Sequence, residues 1–355
     1  MCINRKGKDT MIIKSIKLEN YTVFQDLIIS FGSGINVLIG ENATGKTHLL
    51  KLIYAACMSS RKDIDFGNKI VRTMLPDEFQ ISRLITRMPG NHNASVKVTG
   101  YEEKNGQTKT LSIEFNNKTK RWEGNVKGKE TWEKAFGGEI CNFIPAKEIL
   151  SHSYQLTAAA SVGNVRFDDT YIDIINSAKV DISMGKDSAS KSALLKKIES
   201  ITGGKIKYET QKDEFYLKNG NVNLEFNLVA EGIRKAGLLW LLTKNGTLEK
   251  GSILFWDEPE ANLNPACISM IAEVLLELQR NGVQIFVATH DYFLAKYLDI
   301  FSKQRNETEK VTYYSLYRLS EKESVLCETA EEFTLLKNNP IIQTYLQVYR
   351  DEVLF

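Results

Sequence analysis

Apolar residues form strand-like runs near the start of the chain and a strand–helix alternation in its last third. Residues 11–39 contain apolar runs around a turn at Glu19-Asn20, so they predict β structure. From residue 231 onward, short apolar runs alternate with patterns of helical period. The predicted helices span 233–242, 267–279 and 292–301, and the predicted strands span 252–256 and 283–289. Strands that lie between helices predict a parallel sheet covered on both faces.

The middle of the chain has a different pattern. Between 61 and 145, short alternating segments are separated by the turn signals Asn105-Gly106 and Asn116-Asn117, which predicts an antiparallel β region. A buried strand then ends at Pro145. The remaining predicted elements are helices at 171–182 and 193–201, strands at 205–208, 215–217 and 222–226, an edge hairpin of 312–319 with 324–327, and a closing helix within 331–355 broken at Asn339-Pro340.

These elements predict an α/β fold with a discontinuous core. The core comprises residues 11–60 and 225–355, built on a mixed or mainly parallel central sheet. Residues 61–149 are expected to form an antiparallel β lobe. Residues 150–224 are expected to form a helical and β insertion that leads into the segment at 229–235.

The segment 36–47 joins a predicted buried strand to a helix that is expected to run to about residue 60. The spacing Gly40-x-x-x-x-Gly45-Lys46-Thr47 matches the phosphate-binding P-loop. Glycines let backbone N–H groups surround a phosphate chain, and the helix N-terminus adds its positive dipole end. Lys46 would contact the β- and γ-phosphates, and Thr47 would bind Mg²⁺. The predicted nucleotide-binding residues here are Gly40, Glu41, Asn42, Ala43, Thr44, Gly45, Lys46 and Thr47.

An acidic pair follows the predicted strand at 252–256. Asp257, at the end of that strand, would hold Mg²⁺, usually through water. Glu258 is placed to take a proton from an attacking water. The other interpretation is a helix N-cap within a solvated acidic turn, a role that Asp-Glu-Pro also suits. The P-loop upstream favours the catalytic interpretation.

A histidine ends the next predicted strand. His290 follows 283–289 and could hydrogen-bond a γ-phosphate and respond to its loss. A lone histidine is more often structural, but this one lies one strand–helix unit after Asp257, which favours a functional role. The predicted catalytic residues are therefore Glu258, His290 and Lys46.

Composition narrows the class of protein without identifying a partner. The 355 residues are 43% hydrophobic and 25% charged with a net charge of +2, which neither implies nor excludes nucleic-acid binding. The five cysteines are far apart and odd in number, which argues against a disulfide framework. No apolar run reaches about 18 residues, and the basic N-terminus has no signal-peptide core. We therefore expect a cytoplasmic protein without a membrane partner.

Taken together, three motifs resemble those of ABC-type ATPase heads. They are the P-loop, the Trp-Asp-Glu-Pro-Glu box at 256–260 and the sequence Thr-His-Asp at 289–291. The closest likeness is to the group that includes RecF, structural-maintenance-of-chromosomes heads, and the OLD-like and abortive-infection ATPases of bacteria. The resemblance covers 11–60 and 225–300, and Asn264 stands where that group usually has histidine.

This resemblance implies a site shared between two chains. In such families two heads face each other and enclose two ATP molecules with Mg²⁺, and a signature loop of one head approaches the nucleotide of the other. The matching stretch here is 229–235, in which Glu231, Gly232 and Lys235 are expected to approach that nucleotide. Ala230 stands where serine is common. The segment 143–148 corresponds to the glutamine-containing loop of these heads but contains no glutamine.

The resemblance further implies an ATPase that forms a homodimer or higher homo-oligomer. It would control a separately encoded effector, a nuclease or toxin, in bacterial phage defense, and we expect no nuclease domain after His290. One alternative, motivated by Ala230, is a nucleotide-gated scaffold with little hydrolysis. Another is a DNA-repair ATPase that binds DNA ends or gaps. Basic clusters at 118–121, beside Trp122, and at 191–197 keep nucleic-acid binding open.

Overall fold

The computed structural model describes residues 11–103, 105–163, 167–182, 185–304, 310–320 and 323–354. In chain order the strands are β1 (Met11–Tyr21), β2 (Phe24–Ser30), β3 (Ile35–Gly40), β4 (Asn93–Glu102), β5 (Gln107–Asn116), β6 (Asn125–Lys127), β7 (Cys141–Ile144), β8 (Lys205–Glu209), β9 (Glu214–Asn219), β10 (Val222–Glu225), β11 (Ile253–Asp257), β12 (Gln284–Ala288), β13 (Val311–Tyr317) and β14 (Leu326–Ala330). The helices are α1 (Lys46–Met58), α2 (Phe66–Met74), α3 (Lys129–Phe136), α4 (Leu156–Ser161), α5 (Asp169–Ala178), α6 (Ala189–Thr202), α7 (Glu231–Lys244), α8 (Pro265–Arg280), α9 (Tyr292–Gln304) and α10 (Pro340–Leu354). No helix in these ranges is long and apolar enough to span a membrane.

A six-stranded central sheet carries the strands that end in the three motifs. Its order is β14-β13-β3-β12-β11-β7, and every neighbouring pair is parallel except β13 with β14. The side chains of β3, β11 and β12 are buried throughout. Strands of a parallel sheet are continuously apolar because both faces are covered. The predicted parallel sheet is therefore present.

Alternate residues of these strands serve two separate cores. Val37, Trp256 and Val287 face a core shared with α7, α8, α9 and the insertion. Their neighbours face the core beneath the antiparallel sheet. On that second face the rings of Phe255 and Phe286 stack with centroids 5.0 Å apart. The period-two alternation of strand side chains therefore fixes the sheet between two layers.

The predicted edge hairpin is only half right. β13 pairs with β14 on one side, but on its other side it pairs in parallel with β3, so only β14 lies at the sheet edge. Tyr313 and Tyr314 are buried, which an exposed edge strand would not require. A hairpin strand has two hydrogen-bonding sides, and here the second side extends the central sheet. The closing helix begins at Pro340, at the predicted break.

The strands cross the predicted domain boundaries in two places. β1 pairs with β4, so residues 11–30 belong to the five-stranded antiparallel sheet β2-β1-β4-β5-β6 and not to the central sheet. β7 lies within the predicted lobe but pairs in parallel with β11. We therefore propose that the lobe comprises β1, β2 and residues 93–127. This lobe shares its apolar core with α1, α2 and one face of the central sheet.

The insertion packs against the helical face of the central sheet. Its three-stranded sheet, β10-β9-β8, and its helices α5 and α6 lie in the same core as α7 and α8. Ile206 and Phe215 of that sheet pack into this core with Leu239 of α7. This packing sets the position of the loop that precedes α7, where the predicted signature loop begins.

Candidate functional site

Parallel strands bring the three motifs to one edge of the central sheet. β3, β12 and β11 are neighbours, and their carboxyl ends lead into the P-loop, His290 and Asp257 respectively. In open parallel sheets this edge is the usual position of binding sites. Residues that are more than 200 positions apart in the chain therefore meet here.

Two glycines allow the P-loop to turn from β3 into α1. Gly40 has a φ of 149° and Gly45 a φ of 90°. A Cβ on Gly40 would lie 2.4 Å from the carbonyl oxygen of Leu316, and a Cβ on Gly45 would lie 2.6 Å from the ring of Phe24. Among the described residues, no side chain caps the N-terminus of α1, and its first turn contains no acidic residue. The loop therefore leaves backbone donors and the positive end of a helix dipole available to an anion.

Lys46 lies within the curve of this loop. Its Nζ donates hydrogen bonds to the carbonyl oxygens of Gly40, at 2.8 Å, and Glu41, at 2.9 Å. Burial lowers the pKa of Lys46, an effect that nearby carboxylates, led by Asp257, oppose. The ammonium is thus positioned at the phosphate-binding loop by backbone acceptors that a bound phosphate could replace.

Thr47 and Asp257 form the predicted metal-binding pair. The hydroxyl of Thr47 donates to Oδ2 of Asp257 at 2.9 Å. Burial raises the pKa of Asp257, while its hydrogen bond to Thr47 acts in the opposite direction. A hydroxyl oxygen and a carboxylate oxygen side by side are metal ligands that suit Mg²⁺. A cation there would favour the ionised form of the carboxylate. These residues therefore fit the metal that the motif implies.

Glu258 and His290 face each other just beyond the metal-binding pair. Oε1 of Glu258 lies 3.4 Å from Nδ1 of His290, and both side chains keep part of their surface exposed. Glu258 has a φ of 47°, and its backbone N–H is held by the carbonyl oxygen of Ala288 at 2.9 Å. A non-glycine residue in this region of φ is strained, so the β11–β12 contact holds the carboxylate in its position.

Glu260 is a residue of the site that the motif interpretation did not single out. Its Oε1 accepts from the hydroxyl of Thr289 at 2.6 Å and lies 3.4 Å from the backbone nitrogen of His290. Its Oε2 has no hydrogen-bond partner among the described residues, and burial raises its pKa. The hydroxyl of Thr289 also accepts a hydrogen bond from the backbone N–H of Asp291. Glu260 therefore holds the loop that carries His290. The sequence feature that could have indicated this role is its position two residues after Glu258.

The predicted signature loop, at the start of α7, has fewer side-chain groups available to a ligand than the sheet edge. Gly232 is required by packing within the chain, because a Cβ there would lie 2.7 Å from the side chain of Leu263 and 2.9 Å from the carbonyl oxygen of Asn262. Ala230 is exposed and provides no side-chain cap for α7. Glu231 is partly exposed at the start of that helix. This end of α7 can therefore offer backbone donors but no hydroxyl.

The prediction that Lys235 contacts a nucleotide of another chain requires correction. Lys235 is only 1% exposed, and its Nζ donates to the carbonyl oxygens of Ala261, at 3.0 Å, and Glu258, at 3.4 Å. Burial lowers its pKa. The reason is that Lys235 lies on the face of α7 that packs against the loop after β11. Its ammonium therefore donates to carbonyl oxygens of that loop and not to a ligand of another chain. We assign it to holding Glu258 in place, as a positioning residue.

Arg234 and the segment 143–148 are also bound within the chain. Nε of Arg234 donates to Oε2 of Glu148 at 2.6 Å, and the hydroxyl of Ser151 donates to the same oxygen at 2.8 Å. The carboxylate of Glu148 is almost wholly buried. The segment at the position of the glutamine-containing loop is therefore tied to the start of α7, while Lys147 remains exposed.

A cleft of about 510 Å³ lies on the other side of the P-loop. It is lined by Thr22, Val23, His48, Arg87 and Arg318, among others. The guanidinium of Arg318 donates to the carbonyl oxygen of Ala43, so the cleft is continuous with the P-loop. Tyr21 and Phe24, the nearby aromatics, are fully buried and belong to the core.

The sequence matches a protein family described as "AAA domain, putative AbiEii toxin, Type IV TA system" over residues 35–296, well over half of its length. The chain belongs to this family. Among curated proteins, it is 57% identical over 107 residues to the DNA replication and repair protein RecF of Pediococcus pentosaceus. It is 35% identical over 107 residues to RecF of Limosilactobacillus fermentum. Each match covers 26% of this chain and 29% of the relative, so the matched segment spans less than a third of either RecF.

Solved structures of chromosome-maintenance heads have the same fold. The chain superimposes on an Smc head bound to the C-winged helix domain of ScpA with a TM-score of 0.59, covering 90% of this chain and 97% of that one at 12% identity. A Pyrococcus furiosus Smc head with an extended coiled coil, bound to the C-terminal domain of ScpA, gives a TM-score of 0.52 at 11% identity, covering 96% and 99%. The predicted P-loop NTPase fold and the predicted relation to the RecF and Smc group of ABC-type ATPase heads are confirmed.

Proposed function

We propose that this protein hydrolyses ATP at the edge of its central sheet. The observation that carries the proposal is the pairing, at that edge, of Thr47 with Asp257 and of Glu258 with His290 beside the P-loop. The 510 Å³ cleft next to Arg318 would hold the nucleoside, and residues 40–47 would hold the phosphates. Membership of an ATPase family supports this assignment.

The positions of these side chains support the following reaction. Water attacks the γ-phosphorus, the bond from that phosphorus to the β–γ bridging oxygen breaks, and ADP and phosphate leave. Glu258 accepts the proton that the water loses. Lys46 neutralises phosphate charge, and His290 hydrogen-bonds a γ-phosphate oxygen. Thr47 and Asp257 would hold Mg²⁺, which supplies positive charge to the β- and γ-phosphates.

We propose that a second copy completes the site. Glu231 and the backbone at Gly232 lie at the start of α7, where they could approach a γ-phosphate bound to the other chain. Among the residues that the structure describes, no side chain caps the N-terminus of α7, which supports this role because free N–H groups suit an anion. ATP would then hold two copies together, and hydrolysis would release them.

We further propose that the ATP-bound dimer acts on a separately encoded effector, a nuclease or toxin, in the cytoplasm during phage defense. The toxin named in the family description supports an effector function, and the Smc heads that share this fold are bound to a separate protein, ScpA. No membrane partner is included in this proposal.

Two alternatives have an observation in their favour. Ala230 provides no hydroxyl at the start of α7, which would suit a nucleotide-gated scaffold that scarcely hydrolyses ATP. The RecF relatives are named for DNA replication and repair, which would suit an ATPase that binds DNA ends or gaps. Of the basic clusters, 118–121 is solvent-facing, whereas Lys197 is paired with Glu273 and Lys191 with Asp187. The first cluster is thus the better candidate for DNA.

Three measurements separate these functions. Steady-state turnover that falls in both Glu258→Gln and Lys46→Ala supports hydrolysis at this site, whereas wild-type turnover in both variants would contradict it. In a single-turnover experiment, bound ATP that survives for hours favours the scaffold. DNA binding that is stimulated by ATP and weakened by salt and by Arg121→Ala favours the repair function.

A further inference from the structure

The C-terminal helix α10 exposes an apolar surface. Its first two turns are anchored: Ile341 is buried, and the ring of Tyr345 stacks on Tyr292 with centroids 4.4 Å apart. From residue 343 to 353 every residue is exposed. The apolar residues of this stretch share one side of the helix at 100° per residue. We call these residues the α10 face: Tyr345, Leu346, Val348, Tyr349 and Val353.

Such a surface is unusual for a helix that projects from the body of a protein. Tyr349 is 60% exposed and Val353 is 66% exposed. Single exposed apolar residues are ordinary, but a continuous strip of them marks a place where another surface binds. A helix of about 12–15 residues is also only marginally stable in water without packing. We therefore expect the outer turns of α10 to pack against another surface.

The position of α10 indicates which partner that is. A cleft of about 450 Å³ lies between α10 and the nucleotide edge of the sheet. One wall is formed by residues 40–42 and by His290, and the other is formed by Ile341, Tyr345 and Val348. The α10 face is therefore continuous with the surface that a second copy must cover if it is to complete the ATP site.

The predicted signature loop has an exposed apolar residue close to it. Leu228 is 70% exposed and lies two residues before Ala230, whereas its neighbour Val229 is buried. Three residues of extended chain span at most about 10 Å. The 450 Å³ cleft includes residues 40–42 of the P-loop. If Glu231 approaches the P-loop of another copy, Leu228 must therefore lie within about 10 Å of the cleft of that copy.

We propose that the α10 face of one chain receives Leu228 of a second copy, and that two-fold symmetry repeats this contact. The proposal rests on the ATP-dependent dimer put forward above and names the side chains that form it. The contact is apolar on both sides. It adds a hydrophobic anchor to an interface whose other parts are the nucleotide and the polar residues around it.

Charge-introducing variants test the contact. The background is Glu258→Gln with Mg²⁺ and ATP, and sedimentation velocity measures the dimer dissociation constant. Tyr349→Glu or Leu228→Glu alone should each raise that constant about tenfold or more, because a carboxylate would be buried in an apolar contact. Ile28→Glu is the matched control: Ile28 is 64% exposed on β2 and lines neither the 450 Å³ cleft nor the 510 Å³ cleft, so its substitution should leave the constant unchanged.

A charge pair tests whether the two surfaces meet. Leu228→Glu combined with Tyr349→Lys should recover most of the lost affinity, whereas Leu228→Glu combined with Tyr349→Glu should not. Binding of ATP to the monomer should be the same in all variants. If both single variants dimerise like the background protein, or if the opposite charges recover nothing, the proposal is wrong.

Failure of the ATP-dependent dimer would look different. A background protein that binds ATP but stays monomeric would contradict the proposed dimer itself, and with it the contact. A background protein that dimerises, with α10 variants that dimerise equally well but no longer bind a purified effector, would assign the α10 face to that effector and overturn the contact alone.

Discussion

Glu258 and His290, at the edge of the central sheet, keep part of their polar surface exposed, whereas Arg234 and Lys235, at the start of α7, are bound within the chain. The first pair follows the ends of strands, where side chains leave the sheet toward solvent. The second pair lies on a helix packed against the insertion and the loop after β11. A charged residue near a motif is therefore available to a ligand only if its helix or strand directs it outward.

The two regions have different tasks in the proposed function. Under this proposal, the sheet edge holds and hydrolyses the nucleotide with side chains. The start of α7 can contribute backbone N–H groups and Glu231, while Lys235 supports the carbonyl oxygens of Glu258 and Ala261. Substitutions at the sheet edge should therefore change nucleotide chemistry, and substitution of Lys235 should change stability. The following predictions test this difference.

Lys46→Ala should have the largest effect on nucleotide binding at the sheet edge. Loss of the ammonium removes charge-assisted hydrogen bonds to the phosphates, so ATP affinity should fall about 100-fold. Isothermal titration calorimetry with Mg²⁺-ATP measures this affinity. Lys97→Ala is the control, since Lys97 is exposed on β4, far along the chain from the motifs. Equal affinities of the two variants would contradict the assignment of Lys46.

Glu258→Gln should separate binding from turnover. The amide cannot accept the proton of the attacking water, so kcat should fall about 100-fold or more while ATP affinity stays close to that of the wild type. Steady-state phosphate release and nucleotide titration measure the two quantities. A variant that loses affinity and keeps kcat would show that Glu258 binds ATP and does not act as the base.

Lys235→Ala should lower stability through the chain's own packing. Removing the buried stem leaves a cavity and takes the donor from the carbonyl oxygen of Ala261, whereas that of Glu258 still accepts from the N–H of Ala261. The expected loss is about 1–3 kcal/mol in the free energy of unfolding. Chemical denaturation of the nucleotide-free protein measures it. Glu231→Gln, on the same helix but partly exposed, should change that free energy by less than about 0.5 kcal/mol. Unchanged stability of Lys235→Ala, with loss of ATP-dependent dimerisation, would instead assign Lys235 to a contact between chains.

Asp257→Asn should have a small effect on stability and a separate effect on metal binding. Burial raises the pKa of Asp257, so the folded state binds its proton more tightly than the unfolded state, and stability falls as pH rises from the unfolded pKa through the folded pKa. At neutral pH the ionised carboxylate is therefore destabilising without a cation. The variant should gain about 0.5–2 kcal/mol in the nucleotide-free state and flatten this pH dependence.

The matching measurement is thermal unfolding of both proteins over a pH series, with and without Mg²⁺-ATP. The wild type should be stabilised by Mg²⁺-ATP, and Asp257→Asn should lose most of that stabilisation. A variant that is no more stable than the wild type when nucleotide-free, yet retains full stabilisation by Mg²⁺-ATP, would contradict the metal-binding role.

Local signals were sufficient for the elements that carry the motifs. Continuous apolar runs predicted β3, β11 and β12. In the structure, the carboxyl ends of these parallel strands lie at one edge of the sheet, which brings Lys46, Asp257 and His290 together. Spacing alone could not give the direction of Lys235, because that depends on which face of α7 packs against the loop after β11.

Pairing between distant strands was beyond these signals. Alternation predicted β1, β4 and β13 as strands, but it does not say which strand lies beside which. β1 therefore joined the antiparallel sheet across a predicted boundary, and β13 entered the central sheet instead of its edge. The role of Glu260 was missed for a related reason, since its partner Thr289 lies 29 positions away and is brought close by the pairing of β11 with β12.

The proposal that one chain holds the nucleotide and a second chain completes the site is best tested by measuring how ATPase activity depends on protein concentration. With saturating Mg²⁺-ATP, phosphate release per chain should rise with protein concentration and level off where sedimentation shows the dimer. Activity per chain that stays constant from well below to well above that concentration would mean that a single chain hydrolyses ATP alone, and would contradict a site shared between two chains.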